Sequence, residues 1–457
     1  MQKISEDSRI IPSETETTKL SSGGKKPCDL KKKQISEDKV VKFRCDFPST
    51  QVEVMLARGW AQISEGNWNV ASFFFEIVDP EDTSWHLWWC ETGDGLRQAL
   101  DGDRKKLRPY QRVPHFRNHY ELTRKNYLYR NLKRYRKALI RAGKTAEARI
   151  SDAMPVTFEL PSDYRMFVEE YHKQQGATWI VKPVARSRGK GIFLFRKLKD
   201  LAEWKSRGAK SQQSGIPTEI YVVQKYIDNP YLVADIVEKL KFKVHLTNTA
   251  IQLKASQNAE GISSMKGKNG EWNCKWALNK LRDYLTAYYK AEVIENLMQR
   301  IAGVIMGSLL AVQPAMMQDR NCFELYGYDI LLSDDLRPWL LEINASPALT
   351  GTDNEDQRLK SDLVDDVLNV LDFEGRFSGH ETRIGGLDLL WDDGPVWTSC
   401  PYPGIRTDAV SNDLRRLNIF LGAINDRQKQ LSLLRSQLIE KRKAGQTYSP
   451  MIIHKQY

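Results

Sequence analysis

Cysteine is scarce in this sequence, and its six cysteines are scattered without a C-x-x-C pair. That pattern argues against a disulfide framework and against a zinc knuckle. A membrane-spanning run is also missing, because the most apolar stretch, residues 301–317, is interrupted by Gln313 and Pro314. The opening MQKISEDSRIIPSE lacks the apolar core of a signal peptide. We therefore expect a reduced, cytoplasmic protein with no membrane partner.

Acidic residues are almost absent from residues 104–137, which hold thirteen Lys and Arg against one acid, Glu121. Six Tyr or Phe are interleaved with these cations, and the whole chain carries a net charge of +11. Such a segment should attract a polyanion, which could be nucleic acid, an anionic membrane surface or an acidic protein tail. The alternative is a solvated basic helix face without a partner.

The chain of 457 residues is long enough for about two or three domains. Residues 1–39 are polar and predict a disordered extension, and residues 40–154 predict an N-terminal α/β domain that contains the basic segment. Residues 155–375 alternate strand and helix patterns, which is typical of a mixed α/β fold. Residues 376–457 predict a C-terminal extension with an amphipathic helix that begins at about Ser411.

Oxygen-bearing side chains interrupt two apolar strand-like runs, residues 327–332 and 338–345. Glu342 and Asn344 are two residues apart and should share one face of their strand. A short antiparallel connection at residues 333–337 would place Asp329 across from them on that face.

Such a cluster of oxygens next to apolar side chains favours a cation between them. Two carboxylates and a carboxamide are ligands typical of magnesium, which also takes phosphate oxygens and water. The alternative is an exposed sheet face with ordinary polar residues. We expect Leu331 and Leu340 to lie on the same face as the acids, which weighs against that alternative.

Magnesium implies phosphate, and the stretch WIVKPVARSRGKGIFLFR, residues 179–196, supplies a candidate phosphate site. Lys182 ends one strand, and a flexible basic loop with Arg188 and Gly189 precedes the next. This strand–loop–strand arrangement predicts a flap that brings backbone amides and cations over phosphates. The alternative is a simple basic turn.

Further polar candidates are weaker when taken alone. IYVVQKYIDNP, residues 220–230, is a strand that could border an adenine ring. The remaining candidates near strand or helix ends are Thr247, Asn248 and Lys275. His115 and His119 lack the glutamate of a zinc helix, so we interpret them as structural.

Together these stretches resemble the tubulin tyrosine ligase-like family, an ATP-grasp group. The resemblance extends from about residue 40 to residue 396. Its anchors are HFRNHYELTRKNYLYRNLKR, WIVKPVARSRGKGIFLF, VVQKYIDNPYL, HLTN, CKW and CFELYGYDILLSDDLRPWLLEINASPAL. It implies an ATP-grasp fold, and the amphipathic pattern after about Ser411 adds a C-terminal helical tail.

The resemblance also implies ATP as a cofactor and assigns residues to it. Lys182 would contact ATP phosphate, and Arg188 and Gly189 would belong to the flap. The residues implied for the rest of the nucleotide are Gln224, Lys225, Tyr226, Ile227, Thr247 and Asn248.

The same resemblance implies a metal site and a substrate site. Asp329, Glu342 and Asn344 would hold one or two Mg²⁺ ions. Lys275 would bind the incoming free L-glutamate, and Arg188 would also face the protein substrate. The implied reaction joins glutamate to the γ-carboxylate of a glutamate in a tubulin tail through an acyl phosphate.

The implied partners are tubulin or microtubules, with accessory subunits and without nucleic acid. The basic segment then becomes part of the surface that binds acidic tails. The implied location is the cytoskeleton, in the axoneme and basal body of a cilium or flagellum.

One departure from the family pattern falls at VADIVEKLKFK, residues 233–243. Family members carry a longer stretch here, with further nucleotide and glutamate contacts, so an internal deletion is indicated. It fits either an altered transcript of an active enzyme or a variant without catalysis. The competing hypothesis for function is therefore a non-catalytic microtubule-binding or scaffold subunit.

Overall fold

The computed structural model describes residues 40–45, 47–63, 84–101, 107–150, 152–184, 191–201, 220–231, 276–398, 416–420, 422–424 and 426–444. All of them belong to one compact unit, Val40–Tyr457. The predictions for residues 1–39 and for residues 233–243 lie outside the described residues.

Helices and short strands alternate along the described chain, which confirms the predicted mixed α/β class. The strands are β1 (Lys42–Cys45), β2 (Ala61–Gln62), β3 (Leu87–Trp89), β4 (Val113–Pro114), β5 (Thr157–Leu160), β6 (Trp179–Pro183), β7 (Phe193–Phe195), β8 (Tyr221–Lys225), β9 (Cys322–Phe323), β10 (Gly327–Leu332), β11 (Pro338–Asn344), β12 (Arg383–Ile384), β13 (Leu387–Asp388), β14 (Trp397–Thr398) and β15 (Arg416–Leu417). The helices are α1 (Thr50–Ala57), α2 (Asp94–Asp101), α3 (Tyr120–Thr123), α4 (Lys125–Arg141), α5 (Thr145–Ile150), α6 (Tyr164–Lys173), α7 (Leu278–Tyr288), α8 (Ala291–Val312), α9 (Asn354–Leu371) and α10 (Arg427–Lys443).

The central sheet has the strand order β5-β8-β6-β7, and every neighbouring pair is antiparallel. Because side chains alternate along a strand, each strand sends every second residue to the same face. Phe158, Trp179, Val181 and Val223 occupy one face and pack against Phe167 of α6. This face forms the apolar core of the sheet.

The opposite face of the same sheet carries polar side chains beside the apolar Ile180 and Val222. Thr157 pairs with Gln224, and Lys182 lies two residues beyond the partner of Gln224 in β6. Glu159 and Gln224 are only 4% and 2% exposed. Buried polar groups of this kind need partners, so this face must be covered by other polar residues.

A second sheet, β2-β1-β3, is parallel and packs against α1 and α9. Phe43, Met55, Leu87, Val364 and Leu368 are completely buried in this layer. Burial of each such side chain contributes about 1.5–3 kcal/mol relative to exposure. This layer makes the N-terminal sheet and α9 one packed body.

Helix α8 is the core helix beneath the β10–β11 hairpin. Its length and composition alone would also fit a membrane span. Within the described residues, however, its Val304, Ala311 and Val312 pack with Leu128 of α4 and Leu340 of β11. These contacts bury one side of the helix in the core.

The C-terminal helix is shorter than the sequence pattern predicts. Its predicted start near Ser411 is wrong, because Arg416–Leu417 form strand β15, which pairs with β14. Helix α10 begins only at Arg427. Leu431 and Leu438 on this helix are 3% and 7% exposed, so this side of α10 packs on the body.

Replacing Arg427 with methionine is expected to destabilise the fold by on the order of 3 kcal/mol. Arg427 Nε lies 2.9 Å from Asp366 Oδ1, and Asp366 is 2% exposed. The substitution would leave that buried carboxylate without its cation. Equilibrium urea unfolding measures the loss. Arg435→Met, at an exposed position of α10, should change stability by less than about 0.5 kcal/mol. Equal losses in the two variants would contradict a role for the ion pair.

Candidate functional site

One hairpin carries the acidic candidates on paired strands. β10 and β11 are antiparallel, with Asp329 directly across from Glu342 and Gly327 directly across from Asn344. Asp329 is close enough to hydrogen-bond both Glu342 and Asn344. The structure therefore brings all three candidate metal ligands together.

A β-bulge in β11 decides which face of the hairpin carries the acids. Ile330 pairs with Leu340, so Leu341 is an extra residue in the ladder. Leu340 and Ile343 consequently share the buried face, at 1% and 2% exposed. Glu342 turns to the opposite face, toward Asp329.

The bulge corrects one expectation about this face. Leu331 lies two residues beyond Asp329 in a regular strand and shares the face of the acids. The expectation that Leu340 also lies there was wrong, because Leu340 belongs to the core. The acids therefore lie on the open face of the hairpin and not among buried leucines.

The two carboxylates of the hairpin differ in their affinity for protons. Asp329 is exposed on this face, but desolvation by the protein groups around it and the adjacent Glu342 carboxylate raise its pKa to about 6. Burial also acts to raise the pKa of Glu342, but Lys125, Asp329 and Lys182 outweigh it and hold that pKa below its ordinary value. A cation placed between the carboxylates would relieve their repulsion.

Lys125, which sequence reasoning missed, is the cation closest to this pair. It is the first residue of α4, and its Nζ lies 2.9 Å from Glu342 Oε2. The Lys125 side chain is 14% exposed. Its position in the sequence, within a run of cations, gave no signal that would separate it from its neighbours.

Lys182 lies on the polar face of the central sheet, where it reaches Gln224. Its Nζ donates a hydrogen bond to Gln224 Oε1 at 2.8 Å, and Gln224 Nε2 donates to Thr157 Oγ1 at 3.0 Å. Burial lowers the pKa of Lys182 to about 8, although Glu342 and Asp329 oppose that shift. Lys182 is therefore a protonated ammonium at neutral pH, held in place by a row of polar partners.

Helix α4 also anchors the far end of this polar face. Arg130 binds Glu159 in a bidentate pair, with Nε–Oε2 and Nη2–Oε1 distances of 2.7 and 2.6 Å. Asn126 Nδ2 donates to Glu159 Oε1 at 3.4 Å. One helix thus contacts the acidic hairpin through Lys125 and the central sheet through Asn126 and Arg130.

The structure describes all four residues that are predicted to border the adenine ring, Gln224 to Ile227. The amide of Lys225 donates to Val156 O at 2.8 Å, and the amide of Tyr226 donates to Thr178 O at 2.9 Å. These two amides are bound to the protein's own backbone. Burial raises the pKa of the Tyr226 hydroxyl to about 12, so it stays protonated at neutral pH.

The remaining predicted site residues lie outside the described residues. They are Arg188, Gly189, Thr247, Asn248 and Lys275. Of the predicted site residues, the structure describes the metal candidates, Lys182 and residues 224–227.

His115 and His119 make structural contacts. His115 Nδ1 lies 3.1 Å from Glu324 Oε2, and both side chains are almost fully buried. His119 Nδ1 lies 3.1 Å from Phe116 O, and burial lowers its pKa. Within the described ranges, no three His, Cys, Asp or Glu side chains form a group that could hold a metal. The hairpin offers two carboxylates and one carboxamide instead.

The charges at this site are suited to binding a metal ion and an anion. Two carboxylates and an amide oxygen face two lysines across a polar sheet surface. Such a set can hold a divalent ion together with phosphate oxygens.

Comparison with known families identifies the family of this chain. A model of the tubulin-tyrosine ligase family matches residues 103–243 and 237–377, which together make up more than half of the chain. The chain belongs to the tubulin-tyrosine ligase family, which confirms the resemblance seen in the sequence. The two matched segments overlap at residues 237–243, at the end of the stretch where a deletion is indicated.

Individual relatives match over most of their length. The chain is 36% identical over 472 residues to "Probable tubulin polyglutamylase TTLL9" of Rattus norvegicus, covering 90% of this chain and 96% of the relative. It is 35% identical over 381 residues to "Probable tubulin polyglutamylase ttll-9" of Caenorhabditis elegans, covering 77% and 85%. It is 32% identical over 413 residues to "Probable alpha-tubulin polyglutamylase Ttll1" of Tetrahymena thermophila, covering 78% and 94%.

Proposed function

We propose that this chain is an ATP-grasp ligase that adds glutamate to the γ-carboxylate of glutamate residues in tubulin tails. The observation that carries the proposal is the pairing of Asp329 with Glu342 beside Lys125 and Lys182. Family membership and the names of the relatives support tubulin as the protein substrate.

The donor set of the hairpin fits Mg²⁺. Asp329, Glu342 and Asn344 supply hard oxygen ligands, and magnesium in phosphate chemistry is usually held by one or two carboxylates plus phosphates and water. When bound, the ion would neutralise charge on the transferring phosphoryl group. Both carboxylates are mainly ionised at neutral pH, because the pKa of Asp329 is about 6 and that of Glu342 lies below its ordinary value, so a proton would compete with the ion at Asp329 only in acid.

The two lysines would have different roles in phosphoryl transfer. Lys182 is held by Gln224 and carries its charge at neutral pH, so it is positioned to bind a phosphate oxygen. Lys125 would keep Glu342 oriented by its ion pair. Fixed charges of this kind position the phosphates and stabilise the transition state of phosphoryl transfer electrostatically.

The proposed reaction has two steps. A tail γ-carboxylate oxygen attacks the γ-phosphorus of ATP, and ADP leaves with the electrons of the broken bond. The neutral amine of glutamate then attacks the acyl carbon, phosphate leaves, and the nitrogen loses a proton to form the amide. Arg188 and Lys275 would orient the tail and the incoming glutamate.

The setting that fits this reaction is the microtubule. We place the chain on the cytoskeleton, in the axoneme and basal body of cilia or flagella, with accessory subunits as further partners. The net charge of +11 favours association with acidic tubulin tails.

A scaffold function is the second candidate. It is favoured by the deletion that the sequence indicates near residues 233–243, where the two family-model matches overlap. A scaffold subunit would bind microtubules through its basic surface and would need neither ATP nor magnesium.

Labelled glutamate separates the two functions. The purified full chain is incubated with ATP, Mg²⁺, labelled glutamate and microtubules with or without their tails. We expect incorporation that requires tails, ATP and Mg²⁺ together. Microtubule binding without incorporation, and without ATP binding in calorimetry, would contradict the ligase and support the scaffold.

A further inference from the structure

A basic cleft runs along one side of α4. It has a volume of about 510 Å³. One wall is a row of five cations on the helix, namely Arg130, Lys133, Arg134, Lys137 and Arg141. The last four of these residues follow Arg130 by 3, 4, 7 and 11 positions, and this spacing places all five on one side of a helix. Arg141 lies beyond the basic segment that the sequence indicates, so the structure extends the basic surface to the end of α4.

Only some of these cations are available for a ligand. Arg130 is held by Glu159, and Lys133 Nζ donates to Tyr129 OH at 2.8 Å. Lys137 and Arg141 are both exposed, and neither forms an ion pair with any described residue. Arg134 Nη2 donates to Asn131 Oδ1 at 2.7 Å, and neither Asn131 nor Tyr129 carries a charge to balance its partner. Among the described residues, the positive charge without an ion pair therefore runs along the cleft from Lys133 to Arg141.

Other cations of the basic segment are committed elsewhere. Lys125 pairs with Glu342, and Arg136 lies 3.3 Å from Asp152 on another side of the helix. Arg117 Nη2 donates to Leu100 O at 2.9 Å. The basic segment is thus divided by the fold, and one of its parts is this cleft.

The spacing of the cleft cations matches an extended peptide. Residues four apart in a helix are separated by about 6 Å along the axis, at about 1.5 Å per residue. Alternate residues of an extended strand lie about 6.6 Å apart and point to the same side. The row from Arg130 to Arg141 is about 17 Å long and would cover about five extended residues.

We propose that this cleft binds an extended acidic peptide segment, with alternate carboxylates along the cation row. The proposal rests on the ligase function above and names the part of the chain that holds the tail outside the reacting centre. Lys125 begins α4 beside Glu342, and the row starts five residues later, about 8 Å along the axis. A tail residue at the hairpin could therefore extend its neighbours into the cleft.

The floor of the cleft favours a peptide over nucleic acid. Glu159 and Asp163 line it, and only Glu159 is neutralised by an arginine of the cleft wall. A carboxylate at the floor repels the closely spaced phosphates of a nucleic acid. A peptide can place its own carboxylates toward the cationic wall and its backbone toward the floor.

Peptide binding to the full chain tests the proposal. The probe is a fluorescein-labelled peptide of about ten residues in which glutamate alternates with glycine. Its dissociation constant is measured by fluorescence anisotropy, without ATP or metal. We expect Lys137→Gln with Arg141→Gln to weaken binding about fivefold, the effect of two exposed charge contacts.

A second double variant controls for net charge. Arg136→Gln with Lys144→Gln removes the same charge at exposed positions outside the cleft and should change the dissociation constant less than about twofold. Equal weakening in the two double variants would overturn the cleft as a specific site. Tighter binding of a thymidine oligonucleotide, lost only in the cleft variant, would overturn the peptide as its ligand.

The peptide-binding test of the cleft can be separated from the test of the ligase function. If the cleft variant loses peptide binding but the parent chain shows no glutamate incorporation, the ligase function fails and the cleft stands. If the parent chain is active and both double variants bind equally, the cleft fails and the ligase function stands. Thermal melting of both double variants should stay close to that of the parent, because Lys137, Arg141 and Lys144 are exposed and the ion pair of Arg136 with Asp152 lies at the surface, where such pairs contribute little.

Discussion

Replacing Asp329 with asparagine is expected to lower glutamate ligation at least about a thousandfold while stabilising the metal-free fold at pH 7.5. Loss of a metal ligand removes several kcal/mol of stabilisation from phosphoryl transfer. The gain in stability follows from the pKa of Asp329, which desolvation and Glu342 raise to about 6. Between about pH 4 and pH 6 the folded chain binds more protons at this site than the unfolded chain, so stability falls as the pH rises through that window.

The stability effect should therefore depend on pH. At pH 7.5 the parent has an ionised Asp329 beside Glu342, and the variant does not. At pH 4.5 Asp329 is protonated in the folded parent, so the difference in melting temperature should shrink. Melting curves without metal at both pH values measure this.

A matched control for Asp329→Asn is Asp283→Asn, an exposed position on α7. That variant should keep both ligation and the parent's melting temperature. An Asp329→Asn protein that ligates at the parent's rate would show that the hairpin does not hold the reaction's metal. If the variant were less stable than the parent at pH 7.5, the ionised Asp329 beside Glu342 would not be destabilising.

The acidic hairpin could be predicted because its signal is local. Strand-like runs, a polar turn and acids two residues apart in one strand are all readable from a few adjacent positions. Antiparallel pairing then follows from the short connection, and it places Asp329 across from Glu342.

The bulge at Leu341 could not be predicted from that pattern. A strict two-residue alternation puts Leu340 and Glu342 on one face, whereas the core accepts Leu340 and Ile343 together. Packing against α8 and α4 decides the register, and those contacts are distant in sequence. Bulges often serve to redirect a side chain near a functional site, which is their effect on Glu342.

Lys125 and the cleft were hidden for a related reason. Thirteen cations between residues 104 and 137 look alike in the sequence. Only the fold separates Lys125, which reaches Glu342, from Lys137, which faces the cleft. The prediction of where the last helix starts was wrong for a different reason. Apolar residues such as Leu417 fit a helical spacing, but Leu417 belongs to strand β15, which pairs with β14.

Replacing Lys182 with methionine is expected to weaken binding of ATP about a hundredfold. A hydrogen bond to a charged group contributes about 1.5–3 kcal/mol, and Lys182 is held by Gln224 on the sheet face beside the metal candidates. Isothermal titration of the chain with ATP and Mg²⁺ measures the change. Lys197→Met, an exposed position that follows β7, is the control and should bind as the parent does.

The pH dependence adds a second test of Lys182. Burial lowers its pKa to about 8, so the free protein loses this charge as the pH rises through 8, and kcat/KM for ATP should fall there. The unfolded chain keeps its proton up to about pH 10.5, so the parent's stability should rise between pH 8 and 10.5. Lys182→Met should lack that rise, because it has no proton to lose. ATP affinity unchanged in Lys182→Met, together with a flat parent profile across pH 8, would show that another cation binds the phosphates.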